Sequence, residues 1–391
     1  MKIKKIFLGV GIVANALIMV FFALYLMKLP WLAGDEKFLI WSSSAIKFNN
    51  RDMPSSDEFA FINTSYDLQL IDRFDEFGFP VGNQVITDRQ KLGMLMDILA
   101  SGEKKPKYVI CDIHFVDSTD FDKELHAALR KMDNIILSSH LNDSGMVDVP
   151  IFNDINRGLS DYVIGSIFDG VYKYQLFYQD TLKLTPLKVH EKLSGEKAEI
   201  MGPLVKIGDR WTLNNFIMNY RVVQKDILDM EAGFNPVSLG ELLFLEDKDI
   251  QDFTADKIVV IGDFFEADMH ETLFEITAGP LILINAYLTI KEGDAVANIW
   301  FFFIVFAVFL YLSYMVFVEG DYMEKKITKL FGTIAIAKYL AGFASYITIL
   351  ALLSLLTFFL FHIHLNIFFL AVAFYLMDKI VGFIYSKTKN S

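Results

Sequence analysis

Pro106-Lys-Tyr-Val-Ile-Cys-Asp-Ile-His-Phe115 is a nearly continuous apolar run. Such runs mark strands of a parallel sheet covered on both faces, because neither side of the strand meets water. Two further segments repeat the pattern, Asn134-Ile-Ile-Leu-Ser-Ser139 and Asp256-Lys-Ile-Val-Val-Ile-Gly-Asp263, and Glu58-Phe-Ala-Phe-Ile-Asn-Thr-Ser-Tyr66 is a fourth candidate strand. Between them lie helical patterns. Thr87-Asp-Arg-Gln90 matches a capping box and opens a helix with Leu92, Leu95, Met96 and Leu99 on one face. Asp120 is expected to cap a second helix with Leu125, Leu129 and Met132 inward. Short loops and right-handed crossovers then predict an α/β domain, a parallel three-layer βαβαβ unit.

Working outward, Asp75-Glu-Phe-Gly-Phe-Pro-Val-Gly82 reads as turn-rich, and residues 150–235 as strand-like but irregular. Tyr172-Lys-Tyr-Gln-Leu-Phe-Tyr-Gln179 partly alternates, and Trp211 to Val223 has no clean period. Ser238-Leu-Gly-Glu241 resembles another capping box, opening a short helix through Leu245. Gly279-Pro-Leu-Ile-Leu-Ile-Asn-Ala-Tyr-Leu-Thr-Ile290 reads as a helix, since it follows a proline and is too long for a typical strand.

The flanks belong to a different solvent. Phe7 to Met27 carries no charge, long enough to cross a bilayer core of about 30 Å. Lys2, Lys4 and Lys5 precede it, and its exit, Lys28-Leu-Pro30, lacks a small-residue cleavage site, so an uncleaved anchor is expected. Ile299–Val318, Tyr339–Phe361 and Asn366–Ser386 are three more spans. Lysines 325, 326 and 329 follow the second span, and Lys387 and Lys389 end the chain. Lysine-bearing loops stay in the cytoplasm, so the 264 residues from Gly34 to Ala297 are expected on the other side. The expected layout is residues 1–33 as a first anchor, 34–297 as an exported domain and 298–391 as three helices, in a bacterial cytoplasmic membrane with the large domain on the periplasmic or outer face.

Charge is consistent with that division. The chain's net charge is −12; residues 1–33 contribute +4 and 298–391 contribute +3, leaving −19 on the middle. A domain that acidic repels nucleic acid and anionic headgroups and attracts cations or basic partners. With 37 Phe, only 9 Pro and no sustained heptads, disorder, collagen-like repeats and coiled coils are excluded. The one cysteine, Cys111, excludes an internal disulfide and any cysteine-cluster metal site.

Taken in order, the blocks of the middle region resemble the type 2 CHASE domain, an extracytoplasmic sensory module of bacteria. Phe61-Ile-Asn63 stands at the start, Phe79-Pro80 with Thr87-Asp88-Arg89 is similar to the family's Pro-Arg stretch, and Val109 to Phe115 to its strand ending in aspartate. Asp169-Gly-Val-Tyr172 is similar to its central turn. Lys257-Ile-Val-Val-Ile-Gly262, Asp268, Gly279-Pro280 and Asn285-Ala286 resemble its closing signature. The resemblance covers about residues 35–297 and extends to layout, one helix before the sensor and three after. It implies a sensory domain in signal transduction. Two departures stand against it. The family's Trp-Pro motif is Phe79-Pro80 here with Arg89 displaced from it, and no cyclase or kinase domain follows Ser386. A signal would therefore leave through a separate membrane or output protein, and the family's outputs imply a homodimer.

Two Asp-x-His pairs are the first candidate site. Asp112-Ile-His114 ends one strand and Asp268-Met-His270 follows another, and alternate spacing puts each pair on one side of an extended segment. Ligands gather at the carboxyl ends of parallel strands, and four N and O donors there could hold a divalent cation. The alternative is that Asp112 caps a turn and both histidines are loop residues. Asp88 and Arg89 with Asp112 form a second candidate, either a ligand-binding charged cluster or a loop-fixing one. Asp378, with Lys379 beside it in the fourth span, is either a docking point for another helix or half of a pair whose lysine reaches the cytoplasmic surface. No G-x-S-x-G, P-loop, H-E-x-x-H or G-x-G-x-x-G occurs, and acid pairs such as Asp117 and Asp120 read as solvated surface. The expected function is a non-enzymatic sensor. The alternatives are an accessory subunit that recruits an extracytoplasmic protein, and a hydrolase in the acidic domain.

Overall fold

The computed structural model describes residues 2–29, 37–49, 51–74, 77–162, 170–319 and 335–390. Asp75 and Glu76 of the turn-rich stretch, Asp169 of the central-turn block, Gly34, Pro30 and the loop with Lys325, Lys326 and Lys329 lie outside them. The chain divides into two compact units: Phe48–Glu196 with Met218–Glu292, and Met1–Lys47 with Lys197–Ile217 and Gly293–Ser391.

The first unit is built on the apolar runs. Its strands are β1 (Phe59–Asn63), β2 (Tyr108–Cys111), β3 (Ile135–Ser139), β4 (Arg157–Leu159), β5 (Val237–Ser238) and β6 (Ile258–Gly262). They form one six-stranded sheet in the order β5-β1-β6-β2-β3-β4, every neighbouring pair parallel. All residues of β1, β2, β3 and β6 are buried. Alternate side chains enter opposite cores, as the pleat requires. Ala60, Ile62, Val109, Cys111, Val259 and Ile261 pack with α1 (Arg89–Ser101), α2 (Asp122–Leu129) and Ile250 of α4 (Asp247–Thr254). Phe59, Phe61, Ile110, Ile258 and Val260 pack on the other face with Val189 of α3 (Thr185–Ser194) and Leu281, Ile284 and Leu288 of α5 (Gly279–Glu292). This is the expected parallel, three-layer α/β arrangement, and Gly279 to Ile290 is helical as expected.

Local details differ in instructive ways. The cap of α1 is Asp88, whose side chain accepts from the Lys91 amide at 3.0 Å, one residue beyond the expected Thr87. The α2 cap is Phe121, with no side-chain bond; Asp120 does not cap it, because Thr119 and Asp122 close the turn on each other. Ser238 precedes a helix of only Leu239–Leu242, and its hydroxyl donates to Asp67 instead of capping. Asp67 also accepts from Lys91 Nζ at 2.6 Å and from the Gly240 amide at 2.9 Å. Burial works against its charge, but those donors outweigh it and hold the carboxyl below its ordinary range. The turn-rich stretch joins the arms of an antiparallel hairpin, Leu68–Phe74 with Pro80–Thr87.

Among the described residues, the second unit contains four helices long and apolar enough to cross a membrane, Leu8–Lys28, Ile299–Val318, Gly342–Phe361 and Ile367–Ile384. Their bounds match the four expected spans to within a few residues. Phe309, Leu350, Leu370 and Phe374 lie at their shared core. A three-stranded antiparallel sheet from Ala198 to Leu213 belongs to this unit, with Leu204 and Leu213 against the same core. So does the helix Lys37–Phe48 up to Lys47, through Leu39. Compactness and topology therefore divide the chain differently, since residues 37–47 and 197–217 fall within the stretch expected to be exported. Asp378 is 8% exposed and already engaged by other groups.

Because β6 lies between β1 and β2 and is buried on both faces, truncating it opens a void in the centre of the sheet. Ile261→Ala is expected to cost about 2–5 kcal/mol. Chemical unfolding of the full chain in lipid nanodiscs measures it.

Candidate functional site

Two-sided burial leaves polar groups one outlet, the ends of the strands. At the carboxyl ends stand Asn63-Thr64-Ser65 after β1, Asp112 after β2, His140 after β3, Ser160-Asp161 after β4 and Asp263 after β6. Of these, Thr64, Ser65, Asp112, His140 and Asp263 line a cavity of about 470 Å³. Its lining carries the carboxylates Asp112, Asp117, Asp263, Glu266 and Asp268, the imidazoles His114 and His140, and no lysine or arginine. Leu68, Val85 and Ile86 of the hairpin and Val116 supply apolar wall. A larger cavity of about 610 Å³ lies between α1 and α2; of the charged residues in its lining, Asp97 and Lys131 pair at 2.5 Å, and Asp120 and Glu124 line it together with the buried Arg89.

The carboxylates divide by how fully they are satisfied. Asp263 accepts from the amides of Phe265, Glu266 and Ala267 at 2.8–2.9 Å and meets the Ser65 hydroxyl. Burial opposes its charge, yet those donors win and hold it below its ordinary range, which makes it a loop-fixing residue. Asp112 is different. It accepts one hydroxyl, Ser138 Oγ at 2.6 Å, which in turn accepts from Ser160 Oγ at 2.7 Å, itself 2.9 Å from Thr185 Oγ1. Burial first, then the neighbouring Asp268 charge, push its pKa up to about 6. Asp268 holds His270 Nε2 at 2.6 Å, while its other oxygen rests against the start of α5. A Cβ added at Gly279 would lie 2.0 Å from that oxygen, so only glycine allows the carboxylate to sit there. Tyr162 closes on His270 edge-on at 4.8 Å, and burial followed by the Asp268 and Asp112 charges raises its phenol pKa.

The structure thus brings Asp112, Asp268 and His270 within electrostatic reach of one another and adds His140, which the sequence reading omitted. His140 contacts Asp161 at 3.6 Å, and although burial opposes its charge, Asp161 and Asp112 raise its pKa. His114 faces His140 edge-on at 4.9 Å and Asp148 at 3.4 Å; burial and His140 lower its pKa. Among the described residues no group of three or more His, Cys, Asp or Glu side chains is placed to hold a metal ion. The four expected donors do not converge, because His114 is spent on the β3 side and His270 on Asp268. Nor do Asp88, Arg89 and Asp112 make one charged cluster. Asp88 is the helix cap, and Arg89, 1% exposed, lies over Phe115 at 4.2 Å with its Nη2 donating to the His114 carbonyl at 3.4 Å. A positional signal could have revealed His140 and Ser138, which follow the apolar run Ile135–Leu137, whereas Ser160 and Thr185 carry none.

Comparison with protein-family models, with curated proteins and with solved structures finds no match to this chain. The geometry of the strand ends therefore carries the functional argument.

Two outcomes follow from the acid pair. A carboxyl whose folded pKa is raised favours its protonated form, so its contribution to stability is full below about pH 4 and is lost as pH rises through about 6. Asp112→Asn is expected to remove that dependence, leaving the variant more stable than the parent at pH 7.5 by at most about 3 kcal/mol and equal to it near pH 4. Melting curves across pH measure the difference. Gly279→Ala is expected to drive Asp268 from the α5 terminus and cost about 1–3 kcal/mol, and nanodisc-based unfolding reports it.

Proposed function

We propose that this chain is a membrane-anchored sensor whose α/β unit takes a small cationic ligand at the carboxyl ends of its sheet and passes the signal to a separate protein. The observation that carries the reading is the strand-end cavity. At about 470 Å³ it has the size of a small-molecule site, and its lining has five carboxylates and, among the described residues, no lysine or arginine. Two of those carboxylates, Asp112 and Asp268, repel each other, and a positive ligand group would relieve that repulsion. A primary ammonium suits such a site, since it donates up to three hydrogen bonds and needs no fixed coordination geometry. The ordered blocks resembling the type 2 CHASE domain, and a layout of one span before the unit and three after, support a sensory role in a bacterial cytoplasmic membrane with the unit on its outer side. In this reading the protein catalyses no reaction of its own.

A second reading, an accessory subunit that recruits another protein, draws on the hairpin. Leu68, Leu70, Val81 and Val85 are all exposed there, and exposed apolar side chains grouped on one element suit a protein-interaction surface.

Full-length protein in nanodiscs, melted with putrescine, ethanolamine or Mg²⁺, separates these outcomes. An amine is expected to raise Tm by several degrees at pH 7.5, less at pH 5 where Asp112 holds its proton, and not in Asp268→Asn. No amine shift, or an equal one in the variant, overturns the ligand assignment. Cross-linking then distinguishes the roles: a partner whose capture changes with the amine fits the sensor, and a constitutive stoichiometric partner fits the subunit.

A further inference from the structure

The helix Lys37–Phe48 has its polarity inverted. Ile40, Ser43 and Ser44 are buried, and Lys47 is turned inward with them, while Phe38, Trp41 and Ile46 are 73%, 48% and 56% exposed. In water a helix hides its apolar face and shows its hydroxyls and charges. Here the polar face is stitched to the ends of the third and fourth spans. Ser43 Oγ lies 2.9 Å from His364 Nε2, and His364 Nδ1 lies 2.8 Å from Ser354 Oγ. Lys47 Nζ lies 2.7 Å from His362 Nδ1 and 4.8 Å from the Phe358 ring centre. The proton count makes this a fastening, not a reactive dyad. Ser43 gives its hydrogen to the Leu39 carbonyl at 2.6 Å, so His364 Nε2 is the donor to Ser43, and its Nδ1 accepts from Ser354.

We infer that residues 37–47 form an interfacial helix, lying in the bilayer surface with Phe38, Trp41 and Ile46 against lipid. The occupant is lipid because the helix is fastened, through Ser43 and Lys47, at an end of the spans where the exposed surface of the same unit is also apolar. Phe359, Leu360, Phe368 and Phe369 are exposed at the ends of the third and fourth spans that carry or adjoin His362 and His364, and Ile299, Trp300 and Phe303 are exposed at the start of the second. Tryptophan at the end of an apolar belt is the usual mark of the membrane–water boundary. Twelve residues make about 18 Å of helix, too short to cross about 30 Å of hydrocarbon, so the helix lies along the surface. The inference rests on the four spans being in a bilayer and is independent of any ligand.

The test is tryptophan quenching in full-length protein reconstituted in vesicles containing lipid brominated high on the acyl chain. One variant keeps Trp41 alone, with Trp31, Trp211 and Trp300 changed to Phe; a control keeps Trp300 alone. Quenching of Trp41 by the brominated lipid to within about twofold of Trp300, with little quenching by aqueous iodide, is the expected result. Trp41 quenched by iodide and not by lipid overturns the inference, and so does Trp41 shielded from both, which would mean a protein covers it. If Trp300 also escapes the lipid quencher, the membrane placement of the spans fails with it. Ile46→Cys in a chain whose Cys111 is changed to Ala gives a second reading, since Cys111, buried in the fold, would otherwise label in the unfolded reference. A membrane-impermeant maleimide is expected to label position 46 at least about tenfold more slowly in vesicles than in detergent-free unfolded protein, and equal rates overturn the proposal.

Discussion

The structure depends on a sheet buried on both faces. Every residue of β1, β2, β3 and β6 is buried and their apolar side chains enter one of two cores, so a polar group in the middle of those strands would lose its hydration without replacement. Polarity is consequently expelled to the strand ends, where loops can satisfy it. Asn63, Asp112, His140, Asp161 and Asp263 stand there for that reason, and their convergence follows from the parallel order. The same burial makes the cavity acidic in effect as well as in composition, because carboxylates held against apolar walls feel each other more strongly than they would in water.

Much of this was legible in the residues. Runs such as Lys257-Ile-Val-Val-Ile-Gly262 read as covered parallel strands, and the four apolar spans declare themselves by length. The misses have a common cause: short polar side chains choose among partners that only the fold supplies. Ser238 has the spacing of a capping residue, but Asp67, 171 positions away, holds its hydroxyl. Thr87 loses the cap of α1 to Asp88 by one residue. The hairpin around Asp75–Gly82 was hidden because its outer arm, Pro80–Thr87, is largely exposed and lacks a buried alternation. For the site, the Asp112 and Asp268 neighbourhoods were readable as strand ends, while His140 and the Ser138–Ser160–Thr185 chain depend on which strands become neighbours.

The helix Lys37–Phe48 shows the limit of composition from the other direction. Its sequence, Lys-Phe-Leu-Ile-Trp-Ser-Ser-Ser-Ala-Ile-Lys-Phe, is too short and too polar to suggest a span, and amphipathicity alone cannot say which face is inside. The decision comes from His362 and His364. Those two imidazoles in the turn between the third and fourth spans require buried partners, and Ser43 and Lys47 supply them. Satisfying the polar side inward forces the aromatic side outward.

A sensor needs a ligand that binds two conformations with different affinity, and a structural element whose position differs between them. Within the α/β unit, α5 meets that requirement most directly. Its first residue, Gly279, donates its amide to the Asp268 carbonyl at 2.8 Å, and the Asp268 carboxylate rests on the same residue. From there α5 is buried along nearly its whole length, with Asn285 fastened to Val222 and Arg221, and it ends at Glu292, seven residues before the second span begins at Ile299. A cation drawn between Asp112 and Asp268 would change the force on the Asp268 side chain, and so on the terminus of α5. A helix this fully packed moves as a body or not at all. In the sensor reading, therefore, the repulsion between Asp112 and Asp268 is the stored bias, and α5 is the element that feels its release.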